Sequence, residues 1–330
     1  MKEKMLNKKR NLKPGEIVSL RYDQAFKIMY GNNDHIEILT MLLSKILGIA
    51  YSDLEGKITL LPLNVNNKTV GEKKSERDVV VSLKHDNNYR IVLEVNVKNE
   101  FYESVINRNL YYSFNAARRL VEGETYDDMD VTFLVNFNTF FINKRKKVFD
   151  KYLLRNDEGD ILTEKYKVLN INIAECYNLW YHNKYQGKFD ANEEDLLLLS
   201  AAMMVDNEND FQKILDIVSM KPEIKELMEG VVSDMNKDDD FVGGYYNWKE
   251  ENDLINQSII NEVKRKTLKD GIQQGIQQGI QQGIQQGIQE NQKEIVLGMH
   301  EEGLSIETIS KISKLSVDEI NEIINSNKKS

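Results

Sequence analysis

The sequence predicts an α/β fold, in which a mixed central sheet is flanked by helices and is followed by a helical C-terminal region. Three segments dense in valine, isoleucine and leucine, at residues 78–83, 89–97 and 131–137, favour buried strands. Residues 192–229 change to the apolar spacing of amphipathic helices. With 330 residues, 41% of them hydrophobic, the chain can bury a core and can contain more than one domain.

The N-terminal part begins with helices and then changes to strands. Apolar residues between 17 and 49 recur at helical spacing, and Gly31 divides them into two helices. Gly48 is suited to end the second helix. Residues 58–63 predict a first strand, and the polar segment 84–88 suits a hairpin turn between the next two strands.

The middle of the chain predicts one more helix and one more strand, at residues 101–123 and 167–173. We expect a loop at 230–250, because this segment contains three consecutive aspartates and a pair of glycines. The composition changes near residue 188, which favours a domain boundary there. The predicted organisation is an α/β domain at 15–188, a helical region at 189–270, a repeat spacer at 271–290 and a small helical tail at 291–330.

Residues 271–290 repeat the tetrapeptide Gly-Ile-Gln-Gln, with a glycine at every fourth position. On a helix the isoleucines form a slowly drifting stripe, and the glycines allow a second backbone to approach closely. Each glycine costs roughly 1 kcal/mol relative to alanine in a helix interior, so an isolated helix is marginal. Two interpretations stay open: a helix stabilised by a partner, which implies a homo-oligomer, and a flexible spacer.

The C-terminal segment 292–326 predicts two or three short helices, with Ser305 and Ser316 as N-caps. Its outline resembles a helix-turn-helix, but it is rich in glutamate and has no basic recognition helix. DNA recognition by the tail is therefore disfavoured. A small oligomerisation or protein-contact module is the preferred interpretation.

The net charge of −9 argues against attraction of nucleic acid over the whole surface, although basic clusters at 2–13 and 144–151 are suited to phosphates. Each cluster is equally typical of a solvated segment. Cys176 is alone and the four histidines are scattered, so neither a disulfide framework nor a zinc spacing is present. No long apolar run follows the basic N-terminus, and we expect a cytoplasmic protein with no membrane segment.

Two predicted strands each contain a single acid, Asp78 or Glu94, among apolar residues. If the hairpin turn is centred on Asp86, these acids face each other with Cβ atoms about 4.5–5.5 Å apart. Carboxylates so close repel unless they share a cation, and Mg²⁺ or Mn²⁺ prefers oxygen ligands. A slip of one residue would place the acids on opposite faces. Ordinary solvated acids at strand ends are the alternative interpretation.

The same alternation places Asn96 on the face of the two acids, and Lys98 as well if the strand continues. The opposite face of the hairpin is wholly apolar and suits a core. A divalent ion held by Asp78 and Glu94 would polarise a phosphate oxygen and lower the pKa of a water that attacks phosphorus. A nearby amide or ammonium group would offset charge in the transition state.

Four segments follow one another in a recognisable order and spacing, although none is specific alone. They are RYDQAFKIMYG at 21–31, GEKKSERDVVVSL with YRIVLEVN at 71–96, RNLYYSFNAARRLVEGETYDDM at 108–129, and VTFLVNFN at 131–138. Together they resemble the Rpn/YhgA-like family of recombination-promoting nucleases and transposase-like proteins, in the PD-(D/E)xK nuclease superfamily. Glycine-rich tetrapeptide repeats before a short helical tail also recur in that family, and the match spans roughly residues 17–300.

The resemblance implies a restriction-endonuclease-like core with Asp78 and Glu94 as metal ligands. Asn96 stands where the family usually has glutamine, itself a replacement for the nuclease lysine, and its side chain is one methylene shorter. Lys98 lies two residues beyond the position that this role requires. Asp23 lies four residues before a lysine on the first helix, and the two either pair with each other or point at the site.

The helix after the hairpin contains three residues with open roles. Arg108, Tyr111 and Tyr112 either contact the DNA backbone or pack the helix on the sheet.

We therefore expect an Mg²⁺-dependent endodeoxyribonuclease, with Mn²⁺ or Ca²⁺ as alternative ions, that acts on DNA in recombination or in mobile elements. The candidate catalytic residues are Asp78, Glu94, Asn96, Lys98 and Asp23, the first two of which are the metal ligands. A catalytically decayed nuclease fold that binds DNA or protein is the main alternative, because Asn96 departs from the family pattern. A third interpretation makes the repeat and tail a scaffold for oligomers.

Overall fold

A computed structural model of the protein describes residues 11–62, 78–86, 88–96, 103–116, 123–142 and 144–327. Its strands are β1 (Ile58–Leu60), β2 (Val79–Lys84), β3 (Asn88–Asn96), β4 (Val131–Asn138), β5 (Phe149–Arg155) and β6 (Ile161–Asn172). They form one sheet in the order β1-β2-β3-β4-β6-β5. β4 pairs in parallel with both β3 and β6, and the remaining neighbours are antiparallel. The sheet is therefore mixed, as predicted.

Helices surround the sheet and continue after it. Those in the described residues are α1 (Asp23–Tyr30), α2 (Ile36–Leu47), α3 (Tyr51–Leu54), α4 (Glu103–Ala116), α5 (Ile173–Tyr181), α6 (Ala191–Ala202), α7 (Glu208–Ile217), α8 (Pro222–Lys237), α9 (Asp239–Glu301), α10 (Ile306–Ser313) and α11 (Val317–Asn327). The side chains of Asn172, Asp190 and Asn207 accept backbone hydrogen bonds at the starts of α5, α6 and α7. Gly48, with a φ of 67°, ends α2 in the left-handed conformation that favours glycine.

The two faces of the β2–β3 hairpin are packed differently. On one face, fully buried Ile91 and Leu93 belong to the main core, to which α1, α2 and α5–α8 also contribute side chains. On the other face, Val92 and Leu134 form a smaller cluster against Leu110 of α4. The predicted alternation of the hairpin is confirmed, and α4 lies on the face that also carries the polar residues.

Side chains from both sides of residue 188 share the main core. Leu197 of α6 and Met228 of α8 belong to the same buried cluster as Leu93 of the sheet. By contacts, the chain divides into two compact units, Met1–Asn256 and Gln257–Ser330. The boundary near 188 is therefore a change in secondary structure within one packed core, and the division into four functional segments stays a prediction.

The loop predicted for residues 230–250 is wrong, because α8 and α9 run through this segment. The Asp238 side chain accepts a hydrogen bond from the backbone N–H of Asp240 at 3.0 Å, so the aspartates begin a helix. A Cβ atom at Gly244 would lie 3.1 Å from the Tyr22 hydroxyl, which explains a small residue there. These residues, taken for loop signals, serve helix capping and helix packing.

The second unit is helical. The Gly-Ile-Gln-Gln repeat lies within α9, so the helical alternative for this segment is the one that the structure adopts. Val296, Ile309 and Ile320 form a small buried cluster at the C-terminal end. Ser305 and Ser316 accept hydrogen bonds from the third residues of α10 and α11, which confirms both predicted N-caps. Among the described helices, none combines the length and apolar character that a membrane span requires.

Candidate active site

Asp78 and Glu94 lie opposite each other where β2 begins and β3 ends. Val79 pairs with Leu93, which is the register predicted from a turn centred on Asp86. Both acids are buried, with exposed fractions of 8% and 3%. The structure confirms the predicted pairing of these two residues, called the acid pair below, while their catalytic role stays a prediction.

The backbone of the hairpin holds the acid pair but leaves one oxygen without a donor. The Val95 N–H donates to Asp78 Oδ2 at 2.8 Å, and the backbone N–H of Asp78 donates to the Glu94 carboxylate. Glu94 Oε1 is buried and has no hydrogen-bond partner within the described residues. A buried carboxylate oxygen without a donor is costly, so the site fits a bound cation.

Burial raises the pKa values of both acids. The pKa of Glu94 rises to about 8, first because of burial and then because of the neighbouring charge of Asp78, while Arg108 opposes the shift. Burial also raises the pKa of Asp78, against the lowering effects of the Val95 N–H and Lys27. Because the two acids interact, near neutral pH they hold a proton as a pair, and a divalent cation would displace it.

Helix α1 brings a lysine to the acid pair. Lys27 Nζ lies 3.3 Å from Asp78 Oδ1. Asp23, one turn earlier on the same helix, is near enough for its charge to raise the pKa of Asp78. Lys27 therefore pairs with Asp78 at the site, while the orientation of Asp23 towards the site stays a prediction.

Asn96 is engaged through both ends of its amide. Its Oδ1 accepts a short hydrogen bond from Arg108 Nη2, and its Nδ2 donates to Asn138 Oδ1 at 3.0 Å. The amide thus links an arginine of α4 to the next strand instead of pointing freely at the acid pair. Lys98, the other candidate for the missing lysine, lies outside the described residues.

A network of asparagines extends from the acid pair across the parallel strands, and the sequence analysis did not predict it. The register aligns Glu94 with Asn136 and Asn170 in one row, and Asn96 with Asn138 and Asn172 in the next. Asn109 of α4 donates to Asn136 at 2.8 Å, and Asn136 donates to Asn170 at 2.9 Å. We call Asn96, Asn109, Asn136, Asn138 and Asn170 the asparagine ladder. Its signal in the sequence is a repeated strand ending, EVN, NFN and NIN.

The acid pair supplies two carboxylates at this position, and Asp23 of α1 is near enough for its charge to act on Asp78. Groups of three or more histidine, cysteine, aspartate or glutamate side chains suited to a metal do not occur in the described part of the chain. Mg²⁺ is usually held by one or two carboxylates, with waters and substrate phosphates completing its coordination. A pair of buried carboxylates beside a lysine and an arginine is compatible with that chemistry.

The mixed sheet, its flanking helices and the acid pair together define a restriction-endonuclease-like α/β protein. A family model described as PD-(D/E)XK nuclease family transposase matches residues 20–238, well over half of the chain. The chain belongs to this family, and the resemblance noted in its sequence is confirmed. Neither a curated protein nor a solved structure gives a significant match. Membership supports a nuclease or transposase-like function.

Proposed function

We propose that the protein is an Mg²⁺-dependent endonuclease that hydrolyses phosphodiester bonds of DNA in the cytoplasm, in recombination or in mobile elements. Family membership supports the nuclease class, and the acid pair gives it a site. The observation that carries the proposal is the buried Glu94 Oε1, which lacks a donor within the described residues and lies beside a second buried carboxylate. Mn²⁺ and Ca²⁺ are the alternative ions, since both accept carboxylate ligands.

The chain provides positive charge on both sides of the acid pair. Asp78 and Glu94 would hold the ion, whose charge favours attack on a bound phosphate. Lys27 lies 3.3 Å from Asp78, and Arg108 is fixed by its hydrogen bond to Asn96. These two cations bind and orient the phosphate and offset the charge that develops on it in the transition state. In this mechanism Asn96 positions Arg108, and Asp23 modulates the charge of Asp78.

A plasmid nicking assay with and without Mg²⁺ tests the proposal. Asp78→Ala should abolish nicking while the protein stays folded, as judged by circular dichroism. Asp86→Ala, which removes a 94% exposed acid from the turn of the same hairpin, is the matched control and should nick like the native protein. Nicking that needs no divalent ion, or an active Asp78→Ala protein, would contradict the assignment.

A decayed nuclease that only binds DNA is the second candidate. It is favoured by one observation: both ends of the Asn96 amide have protein partners, so this residue does not replace a nuclease lysine. Such a protein shifts plasmid DNA in a gel, with or without Mg²⁺, and never nicks it. The proposed nuclease does both.

A second copy of the chain is the proposed partner of the repeat. The isoleucines from Ile272 to Ile288 are each more than half exposed, and residues 271–289 carry no charge. A stripe of isoleucine and glycine suits a copy of itself, because the glycines permit close approach of two helices. Light scattering should give an oligomeric mass for the full chain and a monomeric mass after removal of residues 271–330. Equal association by the truncated chain would contradict this proposal.

A further inference from the structure

A cavity of about 370 Å³ lies between α4 and the strands β4, β5 and β6. Four members of the asparagine ladder line it, whereas Leu134, Val168 and most of its other walls are apolar. Its volume lies in the range of small-molecule sites, which combine apolar walls with a few polar groups that fix orientation. We call this space the ladder cavity.

The amides in the ladder cavity are positioned by one another. Asn170 Oδ1 accepts hydrogen bonds from Asn136 Nδ2 at 2.9 Å and from Asn138 Nδ2 at 3.4 Å. Within the described residues, no hydrogen bond from Asn170 Nδ2 is seen. An oriented amide with a donor available suits a flat heteroaromatic ring that carries its own donors and acceptors along one edge.

One wall of the ladder cavity is a fixed aromatic ring. The hydroxyl of Tyr166 lies 2.6 Å from Ser113 Oγ, and its ring stacks on Phe114 with centroids 4.8 Å apart. A ring held on one side by another ring and at its hydroxyl by α4 keeps its orientation. Such a surface favours an aromatic occupant, since stacking rewards a planar partner.

The ladder cavity lies beside the acid pair and near two cations. Asn136 is the register partner of Glu94, so they lie on adjacent strands about 4.8 Å apart. Arg108 is hydrogen-bonded to Asn96, and Lys147 lines a small adjoining cavity together with Asn138 and Asp150. Cations near a cavity with apolar walls suit an aromatic ligand that carries phosphates.

We propose that the ladder cavity receives one unstacked nucleobase of the DNA strand that the acid pair acts on. The proposal rests on the proposed nuclease function, which it extends from phosphate chemistry to the choice of DNA substrate. Hydrogen bonds from the asparagines hold the edge of the base, and the apolar walls and Tyr166 contact its faces. The protein therefore prefers DNA in which one base is already unpaired, because such a base costs little to unstack.

Fluorescence anisotropy in EDTA tests this preference without cleavage. Three labelled duplexes of one sequence are compared: fully paired, with a single bulged nucleotide, and with a bulged abasic nucleotide. The bulged base should bind about tenfold more tightly than the abasic bulge, which has the same backbone but nothing to stack. Equal affinities for these two duplexes would overturn the proposal.

Two matched variants locate the preference. Leu154→Trp places a large ring at a half-exposed position that lines the ladder cavity, and it should abolish the tenfold preference. Leu162→Trp makes the same change at an 80% exposed position that does not line the cavity, and it should keep the preference. An unchanged preference in the Leu154→Trp protein would also overturn the proposal.

The metal-dependent nicking assay separates this proposal from the nuclease itself. If the native protein nicks DNA with Mg²⁺ but binds the bulged base and the abasic bulge equally, only the proposal that the ladder cavity binds a base is contradicted. A native protein that prefers the bulged base but never nicks supports the cavity and contradicts the proposed catalysis.

Discussion

Two groups of buried polar side chains lie in neighbouring register positions of the same sheet, but they differ in their hydrogen bonding. In the asparagine ladder, Asn136 accepts a hydrogen bond from Asn109 and donates one to Asn170. In the acid pair, Asp78 raises the pKa of Glu94, and Glu94 Oε1 has no donor within the described residues. A neutral network whose amides bond one another stabilises a fold, whereas an incomplete acidic pair costs stability until a cation completes it. In the proposed mechanism the acid pair therefore serves the chemistry, whereas the hydrogen bonds within the ladder stabilise the fold.

The largest effect is expected when one carboxylate of the acid pair is replaced by an amide. Glu94→Gln keeps the shape of the side chain but removes its charge, so nicking with Mg²⁺ should fall at least about 1000-fold. The folded state should survive, because a neutral amide replaces a carboxyl group that is protonated near neutral pH when no ion is bound. Nicking rates and thermal melting curves measure both effects.

Glu164→Gln is the matched control for that substitution. Glu164 is an exposed acid of β6, and its change should leave nicking and melting unaltered. If Glu94→Gln nicked DNA at the native rate, the acid pair would not be the catalytic site and the comparison with the ladder would fail.

The next effect is a pH dependence of stability in EDTA. The folded-state pKa of Glu94 is about 8 and its usual value is 4.5, so the folded protein holds a proton that the unfolded chain releases between these values. Stability should therefore be greatest near pH 5 and decline as the pH rises through 8, by an amount of the order of 4 kcal/mol. The raised pKa of Asp78 acts in the same direction. Urea unfolding of the native and Glu94→Gln proteins at pH 5.5 and 9 measures the decline.

Two further results are expected from those unfolding curves. The Glu94→Gln protein should lose less stability between the two pH values than the native protein does. Mg²⁺ should restore the native protein at pH 9, because an ion that binds only the folded state stabilises it. A native protein that grows more stable as the pH rises through this window would show that burial does not control the acid pair.

The contrast between the two groups also shows what the sequence could predict. The turn centred on Asp86 and the alternation of the hairpin were sufficient to pair Asp78 with Glu94. The ladder was not predicted, because its asparagines interact only through the parallel register of β3, β4 and β6, which a single sequence does not specify. The pattern EVN, NFN and NIN becomes meaningful once those strands are adjacent.

Two errors in secondary structure have a related cause. β5 was missed because FDKYLLR is an edge strand with mixed polar and apolar residues and no regular alternation in burial. The sequence predicts a loop at the start of α9 because the roles of two residues there depend on the folded structure. Asp238 caps the helix, and Gly244 leaves room for the Tyr22 hydroxyl. Local propensity predicted the secondary structure correctly in continuously buried segments. It failed in segments where a tertiary contact determines which residue type is present.

A smaller effect is expected in the ladder itself. Asn136→Ala leaves the amide of Asn109 and the oxygen of Asn170 without one partner each, and should cost about 2 kcal/mol of unfolding free energy. Asn178→Ala, an exposed amide on α5, is the control and should cost less than about 0.5 kcal/mol. Urea unfolding at pH 7 measures both. A fully stable Asn136→Ala protein would remove the structural role that the comparison gives to the ladder.

The smallest effect is expected from a comparison of two Lys–Asp pairs, one at the acid pair and one elsewhere in the fold. Lys27 lies 3.3 Å from Asp78 in the site, and Lys45 lies 2.6 Å from Asp195 between α2 and α6. Lys27→Met should lower nicking about tenfold and move the acidic limb of the pH–rate profile to higher pH, because Lys27 lowers the pKa of Asp78. Lys27→Arg should recover most of the rate, since it restores the positive charge. Lys45→Met is the control, and it should reduce stability but leave the acidic limb of the pH–rate profile in place. If Lys27→Met also left the pH–rate profile unchanged, both lysines would be structural.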